Sequence, residues 1–151
     1  MIIEKASLFE GMNPRLVDEI EKSLIEQSCE PGVFLFHQDD PAEYLYIVLE
    51  GRVRLSVGQC GLVTQVVSAS GDAFGWSSVV DRDTYAASAQ CVFPTKVAKI
   101  RNEVLTRILE RDTASGMVFY KRLAKLIGNR LIHCYQLLPS AHGEQRPAPG
   151  G

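Results

Sequence analysis

A glycine-bracketed segment that leads into a helix start has the composition of a phosphate-binding turn: Gly71-Asp72-Ala73-Phe74-Gly75-Trp76-Ser77-Ser78. Glycine lets the backbone approach a ligand closely, and the start of a helix presents free N–H groups to an anion. The segment contains no Lys or Arg. The sequence therefore predicts a phosphate cradle that has no counter-charge of its own.

Short strands must position this turn. Runs rich in β-branched and aromatic residues, separated by Gly, Pro and Asp turns, occupy residues 33–36, 44–49, 53–57, 85–89 and 97–100. Gly32, Gly51 and Gly71 recur about every twenty residues, which predicts strand pairs that wind round a common core. Such a closed sheet leaves few exposed edges.

Helices are predicted on both sides of the strands. Asn13-Pro14 indicates the N-terminus of a helix over residues 14–27 with one apolar face. Asn102 is the predicted cap of a short helix, and Asp112 is the predicted cap of a long helix over residues 113–138. At about 1.5 Å per residue, that last helix is long for so small a domain.

The long helix carries an apolar seam at alternating four- and three-residue spacing, formed by Tyr120, Ala124, Ile127, Leu131, Cys134 and Leu138. Two interpretations are open: the helix packs only on its own domain, or it pairs with a second copy. Its length favours a homodimer. Its basic side chains are predicted to form a solvated face rather than a nucleic-acid patch, since no aromatic residues alternate with them: Lys121, Arg122, Lys125 and Arg130.

Length and composition restrict the classes of protein. The 151 residues suit one domain, and the net charge of -2 gives no global positive field for nucleic acid or anionic lipid. The four cysteines are widely spaced, without a CxxC pair or a His partner at metal-ligand spacing, which favours reduced thiols and no metal site. Without a signal peptide or a long apolar run, a cytoplasmic protein with no membrane contact is expected.

Three motifs then occur in a characteristic order, FLFHQDD at residues 34–40, YLYIVLEGRVRL at 44–55 and GDAFG at 71–75. Together with the Asn-Pro helix and the long terminal helix, residues 5–138 closely resemble the cyclic-nucleotide-binding domain of the Crp/Fnr regulator family. The resemblance implies a mainly β fold: an eight-stranded double-stranded β-helix, or jelly roll, with an N-terminal helix and a long C-terminal dimerisation helix. It places the domain at 1–138, with the roll at 28–101, the helix at 113–138 and a flexible tail at 139–151.

The resemblance also implies a ligand pocket in the roll, lined by Gly71, Phe74, Gly75, Trp76, Ser77, Ser78, Tyr85 and Ala86. Members that bind cyclic AMP carry Glu after Phe-Gly, where this chain has Trp76. They carry Arg, and then Ser or Thr, where it has Tyr85 and Ala86. Both hallmark contacts, to the ribose and to the phosphate, are therefore missing.

Several interpretations of the pocket remain open. Trp76 and Tyr85 either fill the nucleotide's space, or line a site for an uncharged or aromatic ligand, or stack on some nucleotide. Ser77 and Ser78 either donate to an anion or cap the helix, and capping is favoured. Arg82 could turn inward to replace the missing arginine, although its flanking aspartates favour a solvated side chain.

The residues of the chain also limit which cofactors and activities are expected. The ligand is not identified: a cyclic nucleotide is open, whereas haem is disfavoured because His37, His133 and His142 are isolated, and scattered cysteines argue against an iron–sulfur cluster. No catalytic motif is found, so no enzyme is expected. The Pro/Gly-rich tail after Pro139 is too short for a helix-turn-helix, so direct DNA binding is not expected. The favoured function is a small-ligand sensor that signals through a dimer or another regulatory protein, and the alternative is a ligand-free interaction module with a filled pocket.

Overall fold

A computed structural model describes residues 6–138 of the chain. Eight strands occur in this part, in two antiparallel four-stranded sheets. The first sheet has the order β1 (Ile25–Cys29), β8 (Thr95–Arg101), β3 (Tyr44–Glu50) and β6 (Ala73–Phe74). The second has the order β2 (Phe34–Phe36), β7 (Ser88–Cys91), β4 (Val53–Val57) and β5 (Leu62–Val67). The eight-stranded roll is therefore confirmed.

Within residues 6–138, three α-helices flank the roll: α1 (Pro14–Ser23), α2 (Asn102–Glu110) and α3 (Thr113–Leu137). Asp112 caps α3 as predicted, because its carboxylate accepts hydrogen bonds from the N–H groups of Ala114 and Ser115. Asn102 is not a cap: it is the first helical residue of α2, and its side chain pairs with Thr106 instead. No helix within residues 6–138 is long and apolar enough to cross a bilayer. The predicted tail at 139–151 lies outside the described residues.

The first helix is shorter than predicted. It ends at Ser23 instead of Gln27, because the following residues form β1, which pairs with β8 from Ile25↔Lys99 to Cys29↔Thr95. Sheet pairing thus prevails over the helical pattern of the local sequence. The roll consequently begins at Ile25, ahead of the predicted boundary at residue 28.

The core has two parts that lie on opposite faces of the first sheet. Alternate residues of β3 point to opposite sides, so Leu45 and Ile47 pack with the helices, whereas Tyr46 and Val48 pack between the two sheets. The helical part also holds residues from the N-terminal segment and from α3, such as Leu8 and Phe119. The inter-sheet part is the interior of the roll, where the ligand was expected.

Gly51 between β3 and β4 provides a stability test of the roll. A Cβ atom there would lie 2.5 Å from Thr95 Oγ1 and 2.7 Å from the Pro94 carbonyl oxygen, whereas at Gly58 it would meet nothing within 4 Å. Both glycines have positive φ, +99° and +75°, so the two Gly→Ala variants share the backbone strain. Gly51→Ala is expected to lower the free energy of unfolding by about 1–3 kcal/mol more than Gly58→Ala, the usual cost of overpacking. Urea denaturation measures this difference, and equal losses would contradict it.

Candidate functional site

The glycine turn is built on the edge of the first sheet. β6 pairs with β3 through Tyr46↔Phe74 and Ile47↔Ala73. Gly71 donates its N–H to the carbonyl of Val48 at 2.7 Å. Gly71 and Gly75 have φ of 94° and 72°, the left-handed region that glycine adopts without strain. Gly75 then begins a 3₁₀ helix, Trp76–Val80, so the predicted turn and helix start are both present.

Aromatic rings occupy the space next to Gly75. A Cβ atom on Gly75 would lie 3.1 Å from Tyr46 Cδ1 and 3.4 Å from Phe36 Cε2. The ring of Tyr46 in turn stacks on Phe74, with centroids 5.1 Å apart. The close approach that requires glycine here is therefore made by side chains of the roll itself.

Tyr85 completes this aromatic cluster. Its ring stacks on Phe36 with centroids 3.7 Å apart and an interplanar angle of 15°, and the residue is only 4% exposed. Its hydroxyl donates to the Tyr44 carbonyl at 2.8 Å and accepts from the Tyr44 N–H at 3.1 Å. Burial raises the pKa of Tyr85, which keeps the hydroxyl neutral. Tyr85 thus packs in the roll interior with its polar atom satisfied.

Of the expected pocket residues, Phe74 and Gly75 lie in the same cluster as Tyr85, whereas Trp76 and Ala86 do not. Trp76 packs against the helical part of the core, on the other side of the first sheet. Ala86 is exposed. The expectation that Trp76 and Tyr85 share one aromatic pocket therefore does not match their placement.

The two serines after Trp76 are buried but are not caps. The 3₁₀ helix has Gly75 at its N-cap and no capping side chain, which contradicts the favoured interpretation of Ser77 and Ser78. Ser78 is 4% exposed and its Oγ has no partner among the described residues. It borders a cavity of about 360 Å³ that Arg82 also lines. Arg82 is exposed there, so it does not replace the missing arginine inside the roll.

A larger cavity of about 460 Å³ lies between α3 and the roll, and sequence reasoning missed it. Arg130 of α3 lines it, and its Nη2 donates a hydrogen bond to the Ala73 carbonyl in the glycine turn. The Nη1 of Arg130 is buried and has no partner among the described residues. Gln65 of β5 also lines the cavity, and its Oε1 is a second buried atom without a partner among the described residues.

Arg130 is thus not part of a solvated basic face, which corrects the sequence-based expectation for this residue. Burial lowers the pKa of Arg130, and the nearby Asp72 carboxylate partly opposes that shift. Arginine nevertheless stays protonated in proteins. Its position could have been found from the sequence, because Arg130 lies two helical turns after the buried Leu123 and so on the same face.

Comparison with known proteins agrees with this geometry. The model of the cyclic nucleotide-binding domain matches residues 26–112, which is more than half of the chain. The chain belongs to the cyclic nucleotide-binding domain family. Its roll and flanking helices superpose on solved members of the family. A cyclic nucleotide-binding domain from Methylobacillus flagellatus covers 91% of this chain and 78% of its own, with a TM-score of 0.75 and 23% identity. The catabolite activator protein of Thermus thermophilus covers 87% and 61%, with a TM-score of 0.70 and 24% identity.

Curated relatives of this cyclic nucleotide-binding domain are larger proteins. The lysophospholipase nte1 of Emericella nidulans is 26% identical over 132 residues, which are 86% of this chain but 8% of the relative. A CRP-like cAMP-activated global transcriptional regulator of Mycobacterium tuberculosis is 24% identical over 135 residues, 86% of this chain and 57% of the regulator. The chain thus spans less than a tenth of the lysophospholipase and little more than half of the regulator.

Most of the seam predicted on α3 of this cyclic nucleotide-binding domain is exposed, but Ile127 packs against the helical part of the core. Leu123 and Phe119 on the inner side are buried, whereas Leu131 is 49% exposed. The seam residues are exposed, except for two that are half-buried, Ile127 and Cys134. Within the described residues, the exposed seam positions therefore give the outer side of α3 an apolar strip.

Proposed function

We propose that this chain is a regulatory domain that binds a small ligand in the cavity between α3 and the roll and signals through a homodimer formed by α3. The observation that carries the proposal is the hydrogen bond from Arg130 to the Ala73 carbonyl beside that cavity. Through this bond, a residue of α3 that lines the cavity also contacts the glycine turn. A ligand that engages Arg130 would bias the position of α3 relative to the roll.

Cyclic AMP bound in the family's usual pose is disfavoured. Trp76 and Tyr85 stand where the ribose and phosphate contacts would be, and Tyr85 is stacked on Phe36. A hydrogen bond to a charged group contributes about 1.5–3 kcal/mol, and about 1.4 kcal/mol is a factor of ten in affinity. Loss of both contacts therefore weakens binding in that pose by about a thousandfold.

The alternative function is a ligand-free interaction module. The aromatic cluster around Phe36 and Tyr85 supports it, because it fills the roll interior with packed side chains. A thermal-shift screen with cyclic AMP, cyclic GMP, cyclic dinucleotides and aromatic acids separates the two functions. A ligand at a hundredfold excess over its dissociation constant stabilises the folded state by about 2.7 kcal/mol. No shift with any compound would favour the interaction module.

Dimerisation through α3 is tested by Leu131→Glu. This exposed seam position would bury a carboxylate in the interface, so the variant is expected to weaken the homodimer at least tenfold while the fold is kept. Gln136→Glu is the matched control, because it adds the same charge at an exposed position of α3 outside the predicted seam. Sedimentation analysis over a concentration series measures both dissociation constants. A monomeric wild-type protein, or equal effects of the two substitutions, would contradict the proposed dimer.

A further inference from the structure

The cavity between α3 and the roll has the chemistry of an anion site. We infer that it binds a small organic acid, which pairs its carboxylate or phosphate with Arg130 and donates a hydrogen bond to Gln65. The inference rests on the proposed function, since it names the class of ligand for the same cavity. Four features of the cavity support it: the unpaired donor of Arg130, the unpaired acceptor of Gln65, the charge of the lining and the size of the space.

The guanidinium of Arg130 is held in place but is not fully paired. Nη2 bonds to the Ala73 carbonyl, whereas Nη1 is buried without a partner among the described residues. A buried polar group without a hydrogen bond is costly, and for a charged group the cost is larger. Planar oxyanions match the fork of a guanidinium. Arg130 is therefore a preformed donor that lacks its acceptor.

Gln65 requires a hydrogen-bond donor, whereas Arg130 requires an acceptor. Its Oε1 is buried without a partner among the residues described, so it does not pair with Arg130 across the cavity. An anionic oxygen cannot satisfy this atom, because a carbonyl oxygen only accepts hydrogen bonds. A ligand that satisfies both residues must carry a hydroxyl or N–H group as well as its acidic group.

The charges of the lining favour an anion. The ionisable residues around the cavity are three cations, two carboxylates and one histidine, namely Arg122, Lys125, Arg130, Glu10, Asp72 and His133. Arg122 is already engaged, since its Nε donates to the Glu10 carbonyl oxygen at 2.8 Å and its Nη1 lies 3.9 Å from the Glu10 carboxylate. Asp72 acts on Arg130 through its charge. The three cations and two carboxylates leave one net positive formal charge on the lining, and Lys125 extends that charge to the exposed side of α3.

The size of the cavity suits an organic acid better than a bare inorganic ion. Its volume of about 460 Å³ lies in the range of small-molecule sites, about 300–1,000 Å³. Leu126 and Val67 supply apolar surface for an organic body. The ligand class is thus an acid of the size of a nucleotide or an aromatic hydroxy acid.

Two acids and their neutral counterparts test the inference. Salicylate carries a carboxylate and a hydroxyl, AMP carries a phosphate with hydroxyl and amino donors, and salicylamide and adenosine lack the acidic charge. Titration calorimetry with the full chain is expected to show that at least one acid binds at least tenfold more tightly than its neutral counterpart. Which acid binds distinguishes a carboxylate from a phosphate ligand. Binding of neither acid at millimolar concentration, or equal binding of acid and counterpart, would overturn the inference.

The variant Arg130→Gln assigns the binding to this residue. It is expected to weaken the acid at least tenfold, whereas Lys121→Gln, an exposed lysine of α3 outside this cavity, is expected to leave the affinity unchanged. Because Arg130 also bonds to Ala73, a second readout uses the wild-type protein: the nuclear magnetic resonance signal of the Arg130 side chain must shift on addition of the acid. An unshifted signal, or an unaffected Arg130→Gln variant, would overturn the assignment. If the protein is a monomer that binds the acid through Arg130, the proposed dimer signalling is wrong but the anion site is not.

Discussion

Replacing Tyr85 with alanine is expected to lower the free energy of unfolding by about 3–5 kcal/mol, the usual cost of deleting a buried aromatic side chain. The ring stacks on Phe36 at 3.7 Å and lies within the inter-sheet core. The substitution would also leave the Tyr44 N–H and carbonyl without the hydroxyl that now pairs with both. Urea denaturation followed by circular dichroism measures the loss.

Tyr85→Phe is the matched control for this experiment. It keeps the stacked ring and removes only the hydroxyl, so it is expected to cost about 1–3 kcal/mol, less than the alanine variant. The comparison distinguishes packing from ligand binding as the role of Tyr85. A ring that merely lines an open pocket would be lost at little cost, so a change below about 1 kcal/mol in Tyr85→Ala would show that the interior is not filled as described.

Replacing Phe119 with alanine is the second substitution with a large expected effect. Phe119 lies on the inner face of α3, fully buried, and its ring stacks on Phe9 with centroids 5.9 Å apart. The residue therefore fastens both the long helix and the N-terminal segment to the helical part of the core. We expect Phe119→Ala to lower the free energy of unfolding by about 3–5 kcal/mol.

Met117 provides the comparison for Phe119. It lies two residues earlier on the same helix and is 74% exposed, so Met117→Ala is expected to change stability by less than about 0.5 kcal/mol. Hydrogen exchange adds a local readout, because the amides of α3 should lose protection in Phe119→Ala more than those of β3. Similar losses in both variants would show that α3 is not fastened to the roll through Phe119.

Local sequence signals predicted β3, β4, the glycine turn and the start of α3. β3 is a continuous apolar run, and apolar and polar residues alternate along β4. The glycine turn requires positive φ at Gly71 and Gly75, and α3 has a clear cap at Asp112. The order of these elements was sufficient to identify the roll. The sequence also showed that both hallmark ligand contacts are missing, because Trp76 and Tyr85 occupy the positions of the contact residues.

Features that depend on distant residues were not predictable in this way. β1 follows a helical pattern and becomes a strand only because β8 pairs with it. β5 was not predicted, because its sequence shows no clear alternation of apolar and polar residues. Three of its apolar residues are in fact exposed, namely Leu62, Val63 and Val66. The separation of Trp76 from Tyr85 and the burial of Arg130 depend on which side of the first sheet each element reaches. Such packing is fixed by the whole fold rather than by spacing along the chain.

Under the proposed function, the position of Arg130 implies that the ligand affinity depends on the protein concentration. Arg130 lines the cavity and contacts the glycine turn from α3, whose exposed side carries most of the predicted dimer seam. Thermodynamic linkage is reciprocal: if the ligand tightens the dimer by some factor, dimerisation tightens the ligand by the same factor. Ligand titrations performed well below and well above the dimer dissociation constant would then give different affinities. Such a domain would respond to the concentration of its own chain as well as to that of its ligand.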